Sequence, residues 1–318
     1  AAQARAAEAQ AQRDAMRLQV VAEVARTYLD LRTVQTRLQR NHTERMLRTD
    51  ISALWRKRVN AGESAEDSLR SADQQLDTLL GDENRLDAQA HADIYALATL
   101  TGQAPGIALD LSHAPQLPEI VAAGIRSELL QRRPDIRAAD ADLAAATFDI
   151  GAAKAQLYPH FSIMGGLGQQ AQHGSDLFSG DSTRFVIGPS FSWPIFNAGR
   201  IKAQVRGTQA RADAAQAAYE KAVLGALADS ETALNRYAND KLAYANAASA
   251  NENARDLARL AKSRFEAGED DRVQMLEAQA SALANAQSLE TARGDALAAY
   301  VALSKALGGG WEMPPATR

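Results

Sequence analysis

The sequence predicts a mainly α-helical protein with one β-hairpin, in which two tandem repeats each form a long antiparallel coiled-coil helical hairpin. Three observations carry this prediction. Gln3-Ala4-Arg5-Ala6 recurs as Gln209-Ala210-Arg211-Ala212, and Arg58-x-x-Ala61-Gly62-Glu63 recurs as Arg264-x-x-Ala267-Gly268-Glu269, both at an offset of 206 residues. Apolar positions in the first repeat step by three, four or seven, the period of a helical seam. Between the repeats, from Phe161 to Trp193, the period drops to two. An offset this long is not that of a solenoid of short units, so the chain reads as two copies of one large supersecondary unit.

The first helix spans residues 1 to about 59, with its seam at Val21, Val24, Tyr28, Leu31 and Leu38. At about 1.5 Å per residue it is roughly 90 Å long, a length that needs a coiled-coil partner. Gly62 suits a helix C-terminus, and Ser64 or Asp67 is placed to cap the next helix. The return helix runs from about 68 to 100 through Leu69, Leu76, Leu79, Leu86, Ile94, Leu97 and Leu100. Gln103-Ala104-Pro105-Gly106, Pro115 and Pro118 mark an irregular connector. A shorter helix begins at Pro134, where proline suits a first turn and Asp135 favours the N-terminal half, and ends near Tyr158-Pro159. The second hairpin is expected at about 200–266 and 272–306.

The period-two segments place Phe161, Ile163 and Leu167 on one face of a first strand, and Phe185, Ile187, Pro189, Phe191 and Trp193 on one face of a second. Nine to eleven residues is the length of a strand that crosses a bilayer obliquely, and Phe191 and Trp193 suit an interfacial aromatic girdle. An amphipathic hairpin packed on a soluble core is the other reading. If the hairpin spans lipid, closing the barrel requires strands from elsewhere, which implies an oligomer.

Composition removes several function classes. The 35 basic and 39 acidic residues leave a net charge of -4 without a long basic block, so nucleic acid is not an expected partner. The absence of cysteine excludes a disulfide, a thiolate metal site or a cysteine nucleophile within this span. His42, His91, His113, His160 and His173 are scattered, and no nucleophile elbow or phosphate loop occurs, so neither enzyme activity nor a cofactor is expected. The glycines at 165, 166 and 168 read as strand curvature. No apolar run reaches the length of a transmembrane helix. The chain opens inside a charged, alanine-rich helix, and we expect its true N-terminus to lie upstream.

Leu129-Leu130-Gln131-Arg132-Arg133-Pro134-Asp135-Ile136-Arg137, Ile150-Gly151-Ala152-Ala153-Lys154-Ala155-Gln156-Leu157-Tyr158-Pro159, Ser192-Trp193-Pro194-Ile195-Phe196-Asn197-Ala198-Gly199-Arg200 and Lys305-Ala306-Leu307-Gly308-Gly309-Gly310-Trp311 occur in order. Together they resemble the outer membrane factor family, TolC-like and of the NodT type. The resemblance implies a homotrimeric duct combining a transmembrane β-barrel with a periplasmic α-barrel. Its partners would be a periplasmic adaptor, an inner membrane pump, commonly of the resistance-nodulation-division (RND) class, and outer membrane lipid. On this frame residues 1–104 and 199–307 are the two periplasmic hairpins and 105–133 an equatorial connector. Residues 134–158 are a helix leading to the barrel, 159–198 a barrel hairpin and 308–318 an equatorial tail. The family's first strand pair and lipid-bearing N-terminal cysteine are not in this sequence, so we expect a fragment that does not trimerise properly alone.

The turns at 58–67 and 264–273 would be the periplasmic tips. Arg58, Ala61, Gly62 and Glu63, with Arg264, Ala267, Gly268 and Glu269, are adaptor-docking candidates: small residues admit close approach and the charges orient a partner. Plain helix caps are the alternative. The resemblance carries a gating role to Phe265, Glu266, Asp270, Val273 and Glu277, although the family often has tyrosine and arginine where Phe265 and Glu266 stand. Asp271 adds to this acidic tip, and threefold repetition would make a carboxylate ring favouring cations and responding to pH. A solvated acidic helix end is the alternative. A TolC-like duct for protein secretion and a soluble coiled-coil scaffold are the competing functions.

Overall fold

A computed structural model describes residues 1–104, 116–118, 132–170 and 183–309. Its elements are α1 (Ala2–Asn60), α2 (Glu66–Leu100), α3 (Pro134–Ala155), β1 (His160–Gln169), β2 (Thr183–Ser192), α4 (Arg200–Glu266) and α5 (Arg272–Ala306). The chain divides into two compact units. One comprises Ala1–Gln12 and Asp135–Leu224, the other Arg13–Pro134 and Gly225–Arg318, so α1 and α4 each contribute to both. The expected connector and C-terminal tail lie largely outside the described residues.

In the larger unit apolar clusters hold the helices together at several levels. Leu31 and Val34 of α1 pack with Leu86, Ala90 and Leu97 of α2, with Val24, Tyr28, Leu38 and Ile94 against them. Nearer the turn, Ile51 of α1 meets Ala72 of α2 and Leu276 and Ala280 of α5. A third cluster joins Tyr237 of α4 to Ala299 and Leu303 of α5. Val21, placed in the seam by periodicity, is 43% exposed, so the seam includes Val24 but not Val21.

Helices α1 and α5 approach closely. A Cβ placed on Gly294 would lie 2.5 Å from the Thr33 Oγ1, so α5 needs glycine there. Along the antiparallel contact, Arg40 meets Glu290 at 2.8 Å, Arg48 meets Glu277 at 2.6 Å and Arg58 meets Asp271 at 3.1 Å.

Helix α2 begins one residue before Asp67 and takes Ala65 as its N-cap without a side-chain hydrogen bond. Neither Ser64 nor Asp67 caps it; the Asp67 carboxylate instead accepts from the Ser68 backbone N–H within the first turn. Glu66 and Asp67 still face the positive end of the helix dipole.

In the smaller unit, Ala145 and Ala153 of α3 and Ala212 and Ala215 of α4 are buried, small residues that allow near approach of helices. Helix α3 ends at Ala155, three residues before Tyr158, because Gln156, Leu157 and Tyr158 donate to carbonyls three residues back. That tightened turn runs into Pro159, which cannot continue a helix. β1 and β2 then form one antiparallel pair.

Candidate functional site: an exposed apolar sheet and two helical tips

The register of the two strands decides which side chains share a face. Phe161 pairs with Phe191, Ile163 with Pro189, Gly165 with Ile187 and Leu167 with Phe185. The expected apolar residues from Phe161 to Phe191 therefore land on one face, and Phe161 and Phe191 stack tilted with centroids 5.1 Å apart. The opposite face carries His160, Ser162, Met164, Gly166 and Gly168 against Ser192, Ser190, Gly188, Val186 and Arg184. Phe161, Ile163 and Leu167 are 73%, 80% and 77% exposed, so this face is not packed on a core within the chain. Trp193, expected in the strand, falls one residue beyond β2, where its indole N–H donates to the Leu157 carbonyl at 3.2 Å. The residues joining the strands, 171–182, lie outside the described set.

Both tips have the same backbone machinery. At the first, the Gly62 N–H donates to the Val59 carbonyl and the Glu63 N–H to the Arg58 carbonyl; at the second, Gly268 donates to Phe265 and Glu269 to Arg264. With Gly62 at φ 75° and Gly268 at φ 76°, these are Schellman caps. The repeated Arg-x-x-Ala-Gly-Glu thus spans the positions that close a helix C-terminus.

The two repeated arginines have different partners. Arg58 reaches across to Asp271 and lies over the Trp55 ring at 5.4 Å. Arg264 stays within its own turn, 3.1 Å from Asp270 and 3.7 Å from Glu269. Asp271 also caps α5: its carboxylate accepts from the Gln274 backbone N–H at 3.0 Å while the Gln274 side chain accepts from the Asp271 N–H, a capping box. Partial burial pushes the Asp271 carboxyl up, but the Gln274 amide and the Arg58 guanidinium prevail and hold it below the ordinary aspartate value.

The acidic residues of this tip are therefore not an open cluster within the chain. Asp270 is held by Arg264, Asp271 by Arg58 and Glu277 by Arg48, while Glu266 lies 3.8 Å from Lys262. For Asp271 the direction is opposite to that expected of crowded carboxylates, because the Gln274 backbone amide and the Arg58 guanidinium hydrogen-bond to it. Val273 is 4% exposed, so it packs inside the helical unit. Phe265 is half-buried and Glu266 exposed. Sequence reasoning missed Arg48 and the paired role of Arg58; a seam position occupied by arginine, three and seven residues before Ile51 and Trp55, was the available signal.

Residues 125–309 match the protein family described as Outer membrane efflux protein. The chain is 34% identical over 308 residues to outer membrane protein OprJ of Pseudomonas aeruginosa, covering 94% of this chain and 63% of OprJ. It is 27% identical to Nodulation protein T of Rhizobium leguminosarum bv. trifolii, covering 94% of this chain and 65% of that protein. Among solved structures, the outer-membrane channel OprN superposes with a TM-score of 0.81 at 34% identity, covering 97% of this chain and 70% of OprN. The open-state Neisseria gonorrhoeae MtrE channel gives 0.82 at 28% identity, covering 96% and 69%. The chain thus spans a little under two thirds of the length of these two curated relatives.

Proposed function

Because this chain belongs to the outer membrane efflux protein family, a family of channels and not of enzymes, we propose that it builds the wall of an outer membrane exit duct that passively passes small molecules from the periplasm to the exterior. The observation that carries this reading is the joining of two unlike surfaces in one chain. A pair of ten-residue strands exposes one continuous apolar face, and it sits between helices of 59 and 67 residues. Strands of ten residues match an oblique bilayer crossing, whereas helices of about 90–100 Å are far longer than any bilayer is thick. A pair of strands cannot satisfy its own edges in lipid, so other strands must complete the barrel, and by family resemblance the working form is a homotrimer.

Its partners are then a periplasmic adaptor at the helical tips and an inner membrane pump of the RND class. The names of two relatives, a pyoverdine export protein of Pseudomonas aeruginosa and a solvent efflux pump protein of Pseudomonas putida, point towards small cargo. Arg58 and Arg264, with Ala61, Gly62, Glu63, Ala267, Gly268 and Glu269, form the docking turns. The Schellman caps fix the shape of these turns and leave Glu63 and Glu269 exposed to orient a partner.

The gate, on this reading, is an ionic latch. Arg48 and Arg58 of α1 hold Glu277 and Asp271 of α5, and release of these pairs lets the tip end of α5 part from α1. Asp270 and Glu266, beside the half-buried Phe265, contribute negative charge at the narrow end.

The test is restoration of efflux. Expressed at its full natural length with its adaptor and pump in a strain lacking its own outer membrane component, the protein lowers accumulation of a fluorescent dye. Correct insertion without any effect on dye, but with release of a secreted protein, would replace small-molecule efflux by protein secretion.

A further inference from the structure

Two of the most exposed large hydrophobic side chains among the described residues lie neither in a strand nor in a helix. Ile195 is 80% and Phe196 92% exposed, and they sit in the short turn between β2 and α4. This turn is a built feature. The Ile195 N–H donates to the Trp193 carbonyl, the Asn197 side-chain amide donates to the Pro194 carbonyl at 3.2 Å, and the Arg200 N–H donates to the Asn197 carbonyl. Ala198 adopts φ 48° and Gly199 φ 80°; among the described residues Ala198 is the only non-glycine with positive φ. A backbone that accepts a conformation L side chains avoid, with two large apolar groups held outward, requires something to cover them.

Charge says what covers them. Residues 150–170 and 183–212 contain no aspartate or glutamate, although the chain carries 39 acidic residues. The same stretches carry Lys154 in the last turn of α3 and Arg200, Lys202 and Arg206 in the first turns of α4, all exposed. The apolar pair and the four cations lie at the helical ends of the strands, next to Trp193 and Tyr158, which have the amphipathic character of residues at a membrane boundary. In contrast, the residues joining the far ends of the strands include Asp176 and Asp181.

We propose that the Pro194–Arg200 turn is a foot that seats on an anionic phospholipid leaflet. Ile195 and Phe196 enter the headgroup–acyl boundary, and Lys154, Arg200, Lys202 and Arg206 extend to lipid phosphates with their apolar stems along the boundary. The inference rests on the outer membrane reading above and adds a lipid class and a docking surface to it. The cationic collar also fixes how deep the strands sit, because the basic side chains stop at the phosphate layer.

The experiment uses the full natural-length protein in vesicles of phosphatidylcholine with phosphatidylglycerol. Nitroxide labels at Phe196→Cys, at Ile187→Cys on the strand face and at Asn239→Cys on α4 are read for collisions with oxygen and with a water-soluble nickel complex. The proposal expects positions 196 and 187 to collide with oxygen and be shielded from nickel, and position 239 to collide with nickel. Lipid access at 187 with nickel access at 196, or with both probes excluded at 196 and dipolar broadening between labels, overturns the foot and leaves the barrel standing. Nickel access at 187 overturns the barrel and the foot together. A second readout is the composition of the motion-restricted lipid shell, measured with spin-labelled phosphatidylglycerol and phosphatidylcholine. The preference for phosphatidylglycerol is expected in the unaltered protein at low salt and to be lost at high salt and in K154Q/R200Q/K202Q/R206Q. An unaltered protein with no preference, or a preference that survives both treatments, overturns the role of the cations.

Discussion

Gly294 shows how strictly single atoms set this helix packing. A methyl group there would overlap Thr33, with Oγ1 at 2.5 Å and Cγ2 at 2.9 Å, so Gly294→Ala forces α1 and α5 apart or Thr33 out of its rotamer. We expect a loss of about 1–3 kcal/mol by the overpacking mechanism, seen as a lower Tm, with Thr33→Ala recovering part of it. Additive effects in the double mutant would show that the two residues do not meet. Asp93 is a second such site. Burial pushes its carboxyl above the ordinary range against the Gln89 hydrogen bond and the field of Arg26, and its Oδ2 has no hydrogen-bond partner among the described residues. Asp30, Glu23 and Asp295 crowd the same Arg26 region, and burial likewise pushes Asp30 up. A carboxyl with a raised folded-state value stabilises most below its unfolded value, and stability falls as pH rises from about 4 through the raised value. Asp93→Asn is therefore expected to raise Tm at pH 7 and to flatten its pH dependence above pH 4; an unchanged slope would remove Asp93 as its source. These features were not legible in the sequence. Gly294 and Asp93 sit among alanines and leucines in a helical pattern, and only the partner helix reveals why one must be small and the other unfavourable when charged.

The elements were more readable than their joints. The repeated Arg-x-x-Ala-Gly-Glu located both turns, and helices α4 and α5 begin and end where the apolar period and the glycine place them, because a Schellman cap is a local device. The alternation from Phe161 to Phe191 gave each strand its apolar side, and the register, which pairs odd-numbered positions with odd-numbered ones, puts both on the same face. What the sequence did not reveal is whatever depends on distant residues. Val273 is buried, and Asp271 and Glu277 are held by arginines more than two hundred positions away. Arg133 is another such joint: its guanidinium donates to the last carbonyl of α5, on Ala306, at 3.0 Å and to the Ala226 carbonyl at 3.4 Å, and lies 3.3 Å from Asp229. It caps one helix end while tethering α4, which gives the Arg132-Arg133-Pro134-Asp135 motif a physical reason. Arg133→Ala is expected to lose about 1.5–3 kcal/mol, since it removes charge-assisted hydrogen bonds to the Ala306 and Ala226 carbonyls and leaves them the Ser230 hydroxyl; Arg133→Lys recovers less than half, having no planar fork.

The latch belongs to the same scale. Asp271 has a lowered folded-state value, so its contribution is fully present above the ordinary aspartate value and is lost only as pH falls through the lowered one, below about pH 4. The Arg58–Asp271 contact is therefore expected to leave any gate closed across pH 5–8 and to be opened by substitution, not by mild acid. Arg58→Ala tests this through the rate of proteolysis at the second turn, which rises if the pair restrains α5 and is unchanged if the capping box alone suffices. These pairs are only part-buried, and where solvent reaches such a pair it contributes about 0–1 kcal/mol, so Arg40, Arg48 and Arg58 work as a set along one helix contact.

At the scale of the whole molecule, the duct reading joins an apolar sheet suited to lipid with helices too long for it, and places an arginine–carboxylate latch at the helical turns. The measurement that tests this most directly is single-channel conductance of the full natural-length protein in planar lipid bilayers, beside R48A/R58A. The account predicts a small, cation-selective conductance that rises several-fold in the variant and does not change between pH 8 and pH 5. No conductance in either protein, with the unaltered protein recovered in the soluble fraction, would contradict the duct; equal conductance in both would contradict the latch.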